Sequence, residues 1–303
     1  KGGNLHFEVT GNNILIENIT FRNFNFTNGS GGAIRWAGDN GILRNSIFIN
    51  NSASTSGAVY WAGNDGTLTN SIFINNTANT HSGAVYFGFY SHSCILTNCV
   101  FINNTAGTFG GAFYCYATNC ALKNSTFTGN TAKSDGGAIC WIGANGSLIS
   151  SIFNGNTATN GGSGAVDWWG NNGNLTSCNF TDNTAKSANG GAVDWGSIST
   201  NGILMDSIFK DNNARCGGAV RWEAANGTLT NSTFTDNTAA NGYGSVYWHS
   251  NGVNGKLSDS TFTDNTADVR GGALYWNADK GILNNCKFIN NNATYDGGAI
   301  YRG

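Results

Sequence analysis

Phe127-Thr128-Gly129-Asn130-Thr131-Ala132, followed a few residues later by Gly136-Gly137-Ala138-Ile139-Cys140-Trp141, is the stretch whose reading decides the fold. Both halves recur from one end of the chain to the other. The phenylalanine falls at Phe21, Phe48, Phe73, Phe101, Phe127, Phe153, Phe180, Phe209, Phe234, Phe262 and Phe288, with neighbours 25 to 29 residues apart. A fixed period in the range of roughly 20–50 residues marks a solenoid or array. These units account for almost all of the 303 residues.

Each unit offers three short strand signals separated by turn residues. The first is Gly57-Ala58-Val59-Tyr60-Trp61 and its variants. The second centres on a leucine five before the phenylalanine, as at Leu68 and Leu122, and the third is Ser71-Ile72-Phe73, running into Asn-Asn-Thr-Ala. Alternation at period 2 places Phe, Leu and the Val or Ile of the first strand on one inner side. Strands and turns of ordinary length fill such a circuit. The pattern predicts an all-β parallel β-helix, or β-solenoid, of about 11 coils of ~26–27 residues with three strands per coil. Adjacent strands about 4.8 Å apart make this a rod roughly 50 Å long. Identical residues then stack into inner ladders of Phe, Leu, Trp and Ala. The asparagine three past each phenylalanine forms an amide ladder at a turn, where Asn tolerates left-handed backbone. The paired glycines suit a tight corner with positive φ. A leucine-rich repeat is excluded by the missing Leu-x-x-Leu-x-Leu run, and a propeller blade needs about 40 residues.

The whole chain, 1–303, reads as one β-helix domain. Residues 1–20 form an opening coil, 21–303 carry the repeats, and the last coil stops partway, as expected of a piece of a longer chain. Proline is absent, which suits a ladder of strands that each need their backbone N–H. Charged residues are 11% and the net charge is −2, so a nucleic-acid groove with clustered Lys and Arg is excluded. No run approaches the roughly 18 apolar residues of a membrane helix, so no membrane insertion is expected within this segment.

Phe73-Ile74-Asn75-Asn76-Thr77-Ala78 with Ser82-Gly83-Ala84-Val85-Tyr86 resembles the repeats of chlamydial polymorphic outer-membrane proteins, and more closely those of adhesin-like surface proteins of methanogenic archaea. The resemblance covers essentially the whole chain and is specific for repeat type. It implies a right-handed parallel β-helix in an extracellular, cell-surface protein linked to adhesion. Phe24 for Asn, Asn213 and Asn292 for Thr, and Ser245 for Ala depart from the pattern.

The outward position of the first strand varies while its neighbours do not, reading Arg35, Tyr60, Tyr86, Tyr114, Cys140, Asp167, Asp194, Arg221, Tyr247, Tyr275 and Tyr301. A column of exposed tyrosines is a platform for sugar rings or a protein partner, or simply a solvent face of good strand formers. Asp167 and Asp194 fall on adjacent coils, about 5 Å apart, a spacing suited to a retaining glycosidase pair or a Ca²⁺ site. Arg221 on the next coil is the ordinary partner, and coil lengths there leave little for the long loops of an enzyme groove. Two past the phenylalanine, Asp182, Asp211, Asp236 and Asp264 form an acidic column that either collects Ca²⁺ or lets each Asp serve its own turn. No other cofactor is expected.

The eight cysteines sort by position. Cys99, Cys178 and Cys286 replace a serine as small buried residues. Cys94 and Cys120 sit at equal positions on adjacent coils, close enough for a disulfide. Cys115 and Cys140 face opposite sides, and no Cys-x-x-Cys suggests zinc. Asn-x-Ser/Thr acceptors recur, for example at Asn75, Asn103, Asn124, Asn174, Asn226 and Asn231, although the repeat itself forces many of them. The function expected is a non-catalytic surface adhesin or structural shaft that presents a repetitive face to a glycan or protein on another cell surface. A filament assembled by end-to-end self-association and a pectin-lyase-like polysaccharide-degrading enzyme are the alternatives.

Overall fold

The computed structural model describes residues 6–303, so the first five residues of the opening coil lie outside the described residues. All regular structure there is β-strand, gathered into four parallel sheets of 12, 11, 11 and 11 strands. One circuit runs Val59–Trp61, Thr67–Thr69, Ile72–Ile74 and Thr77–Ala78, then returns to Val85–Phe87 directly on top of its start. Pairing is residue on equivalent residue: Tyr60 on Tyr86, Leu68 on Leu96, Phe73 on Phe101 and Ala78 on Ala106. The chain is therefore the expected parallel β-solenoid of about eleven turns, with one addition. A fourth sheet forms where the sequence reads as turn, because Thr-Ala pairs from coil to coil over only two residues. Two residues are too few for alternation to announce a strand.

Inside the rod each inner position becomes a column. Phe48, Phe73, Phe101 and Phe127 are wholly buried and stack with ring centroids 4.6–4.8 Å apart. Leu43, Leu68, Leu96 and Leu122 are equally buried. Offset parallel rings at the strand spacing keep aromatic contact while each Phe contributes roughly 1.5–3 kcal/mol by leaving water.

Asn51, Asn76, Asn104 and Asn130 are completely buried, and their amides form the expected ladder. Asn76 Nδ2 donates to Asn104 Oδ1 and to the Phe48 carbonyl, each at 3.0 Å, and Asn104 Oδ1 also accepts the Asn76 backbone N–H. The same pattern continues to Asn291. Every donor and acceptor is used, which is the condition for burying an amide. The left-handed backbone belongs to the residue before it: Asn75, Asn103, Gly129, Asp182 and Asp211 have φ between 52° and 64°. That is why this corner alternates among Asn, Asp and Gly, the residues that tolerate such φ. A second, exposed amide ladder that the repeat did not advertise runs Asn145, Asn172, Asn201, Asn226 and Asn254.

The tryptophan column is broken. Trp36 stacks on Trp61 at 4.4 Å, and Trp141 begins a second stack through Trp168, Trp195, Trp222 and Trp248 to Trp276. Between them stand Phe87 and Cys115. Opposite each indole lies a glycine, such as Gly66 against Trp61 or Gly146 against Trp141, where a Cβ would come within 2.4 Å of the ring. Opposite Phe87 and Cys115 the same position holds Cys94 and Cys120, all buried. Phe113 replaces the usual Val or Ile beside Cys115. Volume lost at one position is regained at its neighbours, as a close-packed interior requires.

Candidate binding groove on the first sheet

The outward column of the first sheet lies between two walls built from the turns on either side. The residue before each corner glycine or serine supplies one wall, including His81, Phe109, Asp135 and Asn189. The residue after each Trp or its substitute supplies the other, including Tyr116, Ile142, Trp169, Glu223 and His249. Backbone bonds keep each wall in phase with the coil above and below, as in Ser82 N–H to Phe109 O and Trp169 N–H to Trp141 O. Large side chains at these positions convert a flat sheet into a groove.

The tyrosines expected as an exposed platform are partly covered by these walls. Tyr114 is only 6% exposed, and Tyr60, Tyr86, Tyr247 and Tyr275 are half-buried. Tyr60, Tyr86 and Tyr114 stack on one another at 5.1 and 5.0 Å with planes within 10°. Their faces are therefore spent on each other, and the column turns ring edges and hydroxyls outward. Burial holds the Tyr86 phenol up at about 12, so it stays a donor. Exposed aromatic rings stand after the first strand instead, where Phe89 and Tyr90 are 59% and 86% exposed and meet edge-on. At the other end Tyr275 stacks on Tyr301 at 5.2 Å and meets Tyr247 edge-on.

Midway along, Asp167 and Asp194 pair in register on adjacent coils and are 1% and 3% exposed. The expectation of two accessible carboxylates is corrected: the groove walls bury them. Their surroundings differ. Asp194 Oδ1 accepts from Arg221 Nε at 2.9 Å, and Arg221 Nη1 also reaches Glu223 at 3.3 Å. His249 Nδ1 lies 3.8 Å from the same Glu223 oxygen. Asp167 Oδ2 accepts from Trp169 Nε1, while its Oδ1 is buried with no partner. Burial raises the Asp194 carboxyl to about 6 in spite of Arg221. Burial and the neighbouring Asp194 push Asp167 well above the usual carboxylate range.

Phe109, Tyr114, Asp135, Cys140, Ile142, Asp167 and Trp169 line a pocket of about 210 Å³ at this point. Two glycines make room for it. A Cβ on Gly162 would meet Asp135 Oδ1 at 2.6 Å, and one on Gly196 would stand 3.1 Å from the Trp169 ring. Phe109, Asp135, Trp169 and Glu223 were not singled out in the sequence, because they sit at the variable turn positions. Sorting the residue on each side of the strand by coil, as was done for the strand itself, brings them out.

The remaining expected sites are dispersed. Asp182, Asp211, Asp236 and Asp264 stand exposed at one corner of four successive coils, each in the left-handed conformation. Among the described residues no three His, Cys, Asp or Glu side chains converge as a metal-binding group. Cys94 and Cys120, the candidate pair, are both buried and stand as free cysteines at equal positions on adjacent coils. Cys99 and Cys178 occupy the serine column, each Sγ against the carbonyl two residues back at 3.3 Å. Asn75, Asn103, Asn124, Asn226 and Asn231 are exposed corner residues with positive φ. Asn174 lies in a strand, where Thr176 Oγ1 donates to its Oδ1 at 2.7 Å.

Comparison with known proteins bears on the repeat. A model of the Chlamydia polymorphic membrane protein repeat matches residues 98–116, 124–140, 259–275 and 285–301. Each match spans the phenylalanine strand through the glycine corner and into the first sheet. Solved structures that align include the Streptococcus pneumoniae surface protein and adhesin PfbA, with 13% identity, TM-score 0.42 and coverage of 98% of this chain and 91% of that one. A TibA fragment hyper-glycosylated by TibC catalysis aligns with 15% identity, TM-score 0.20 and coverage of 94% and 100%. No curated protein matches. The chain is a β-helix repeat protein that carries stretches similar to the Chlamydia membrane-protein repeat.

Proposed function

We propose that this chain is the β-helical shaft of an extracellular, cell-surface adhesin that presents its first-sheet groove to a glycan or protein on another surface. The observation that carries the reading is the groove: an outward row of Tyr, Asp and Arg residues, interrupted at Cys140, with Phe109, Tyr116 and Trp169 among the side chains that wall it, on an otherwise repetitive rod. The Chlamydia repeat similarity supports a surface setting, and the archaeal adhesin-like resemblance of the repeats belongs to the same reading. A rigid frame that holds recognition groups at fixed spacing loses little ordering entropy on binding.

The test is attachment of the purified chain to a glycan array and to whole cells, beside a variant with Tyr60, Tyr86 and Tyr114 changed to Ser. Retention by one ligand class that the triple variant loses supports the reading. Equal retention of both proteins sinks it. One observation favours a second reading, a polysaccharide-cleaving enzyme: two buried carboxylates in unlike environments, the usual starting point for acid and base roles. Release of reducing or unsaturated ends from a panel of polysaccharides, lost in Asp194→Asn, would establish that activity.

A further inference from the structure

The pocket at Asp167 sits within the groove but differs from the rest of it. Three of its seven lining residues are aromatic and two are acidic, and none is Lys, Arg or His. The neighbouring cation is already engaged, since Arg221 bonds Asp194 and Glu223. Asp167 lines this space, is 1% exposed, takes one bond from Trp169 on Oδ2, and keeps Oδ1 buried and unpartnered. A buried carboxylate oxygen without a donor is costly, and the group that corrects it brings N–H or O–H together with positive charge.

We propose that this pocket binds the free amine of a 2-amino sugar, with the ammonium donating to Asp167 Oδ1 and the pyranose ring held between Phe109 and Trp169. The proposal rests on reading the groove as a binding surface and names what one part of it takes. An anion is excluded by the two carboxyl groups. Ca²⁺ or Mg²⁺ asks for about six or more oxygens, which this lining does not offer, and among the described residues no three His, Cys, Asp or Glu side chains converge as a metal-binding group. Aromatic faces attract an organic cation, and they also cover the apolar side of a sugar ring. A quaternary ammonium has no N–H for Oδ1, so a primary amine fits better. At about 210 Å³ the pocket is smaller than a typical drug-sized site and suits one ring rather than a chain. Asp135, half-buried with its carboxyl raised by burial, gives the cation a second counter-charge. The same positive charge would favour the ionised form of Asp167, which burial and the neighbouring Asp194 otherwise disfavour.

Calorimetric titration of the full chain with glucosamine, N-acetylglucosamine, glucose and n-butylamine tests this. Glucosamine is expected to saturate one site at least tenfold more tightly than the other three. Asp167→Asn, which keeps the shape of the side chain, and Trp169→Ala are each expected to weaken it at least tenfold. Lys256→Ala, on the second sheet, leaves it unchanged. Melting curves recorded beside each titration confirm that the variants are folded. Equal affinity for glucosamine and glucose, or full binding by folded Asp167→Asn, overturns the proposal. Binding of n-butylamine as tight as glucosamine overturns the sugar assignment in favour of an alkyl amine such as a lysine side chain. If cell attachment persists while glucosamine fails to bind, the amine site is wrong and the adhesin reading still stands.

Discussion

At the scale of single residues, the buried asparagine ladder is held by side chains whose every polar atom is used. Asn130 links Asn104 below to Asn156 above and holds the Phe101 carbonyl. Replacing it with Ala strands the Asn104 amide and backbone N–H without an acceptor. A loss of roughly 3 kcal/mol in chemical denaturation is expected, since each orphaned buried group costs about 1–3 kcal/mol. The groove carboxylates act in the opposite sense. Asp194 has its carboxyl raised to about 6, with Asp135, Asp167, Arg221 and Glu223 around it. A buried acid raised in the folded state stabilises fully below its unfolded value near 4, and that contribution is lost as pH rises through 6. A difference of this size is worth roughly 3 kcal/mol. The melting temperature of the coils around it is therefore expected to fall from pH 4 to pH 7, and Asp167→Asn is expected to flatten that slope. A melting temperature that rises over the same interval would contradict the assignment.

At the scale of elements, the columns show how a repeat absorbs an exception. Phe113, Cys115 and Cys120 share out the space that a Val, Trp and Gly fill elsewhere. Cys115→Trp alone is expected to destabilise by about 1–3 kcal/mol through overpacking. Adding Phe113→Val and Cys120→Gly restores the neighbouring pattern and should recover most of that loss in a denaturation series. The same columns set what could be learned from sequence. Phe, Leu and buried Asn positions were legible because their chemistry repeats at nearly every turn of the chain, and Trp because it recurs at most of them. The fourth sheet was not, most of its strands being two residues long, and the left-handed residue was placed one position late, since Asn-Asn offers two equal candidates. The groove escaped for a different reason. Burial of Asp167 depends on Phe109 and Trp169, which repeat nowhere, so only the folded stacking brings them together.

At the scale of the whole molecule, stability is a sum over coils and their interfaces, and the rod displays chemistry at its corners. Asn226 and Asn231 spend their amide nitrogens on Asn201 and Asp206. Asn75, Asn103 and Asn124 have no such side-chain bond among the described residues. If the chain meets a glycosylating pathway, glycopeptide mass spectrometry is expected to find sugar at those three before Asn226 or Asn231. Electron microscopy with mass per length distinguishes the modes of assembly. Separate rods about 50 Å long fit the adhesin shaft, and fibres with that repeat would favour a filament.

The break in the tryptophan column at Phe87 and Cys115 divides the rod optically. A pair of buried indoles on one side and six on the other are separated by two coils without one. Ring-on-ring stacking does not run from one block to the other, and Trp169, outside the column, is a ninth and separate indole. Trp61→Phe silences the ring at the edge of the shorter block without touching the longer one. Fluorescence during unfolding would then reveal from which end the rod unravels.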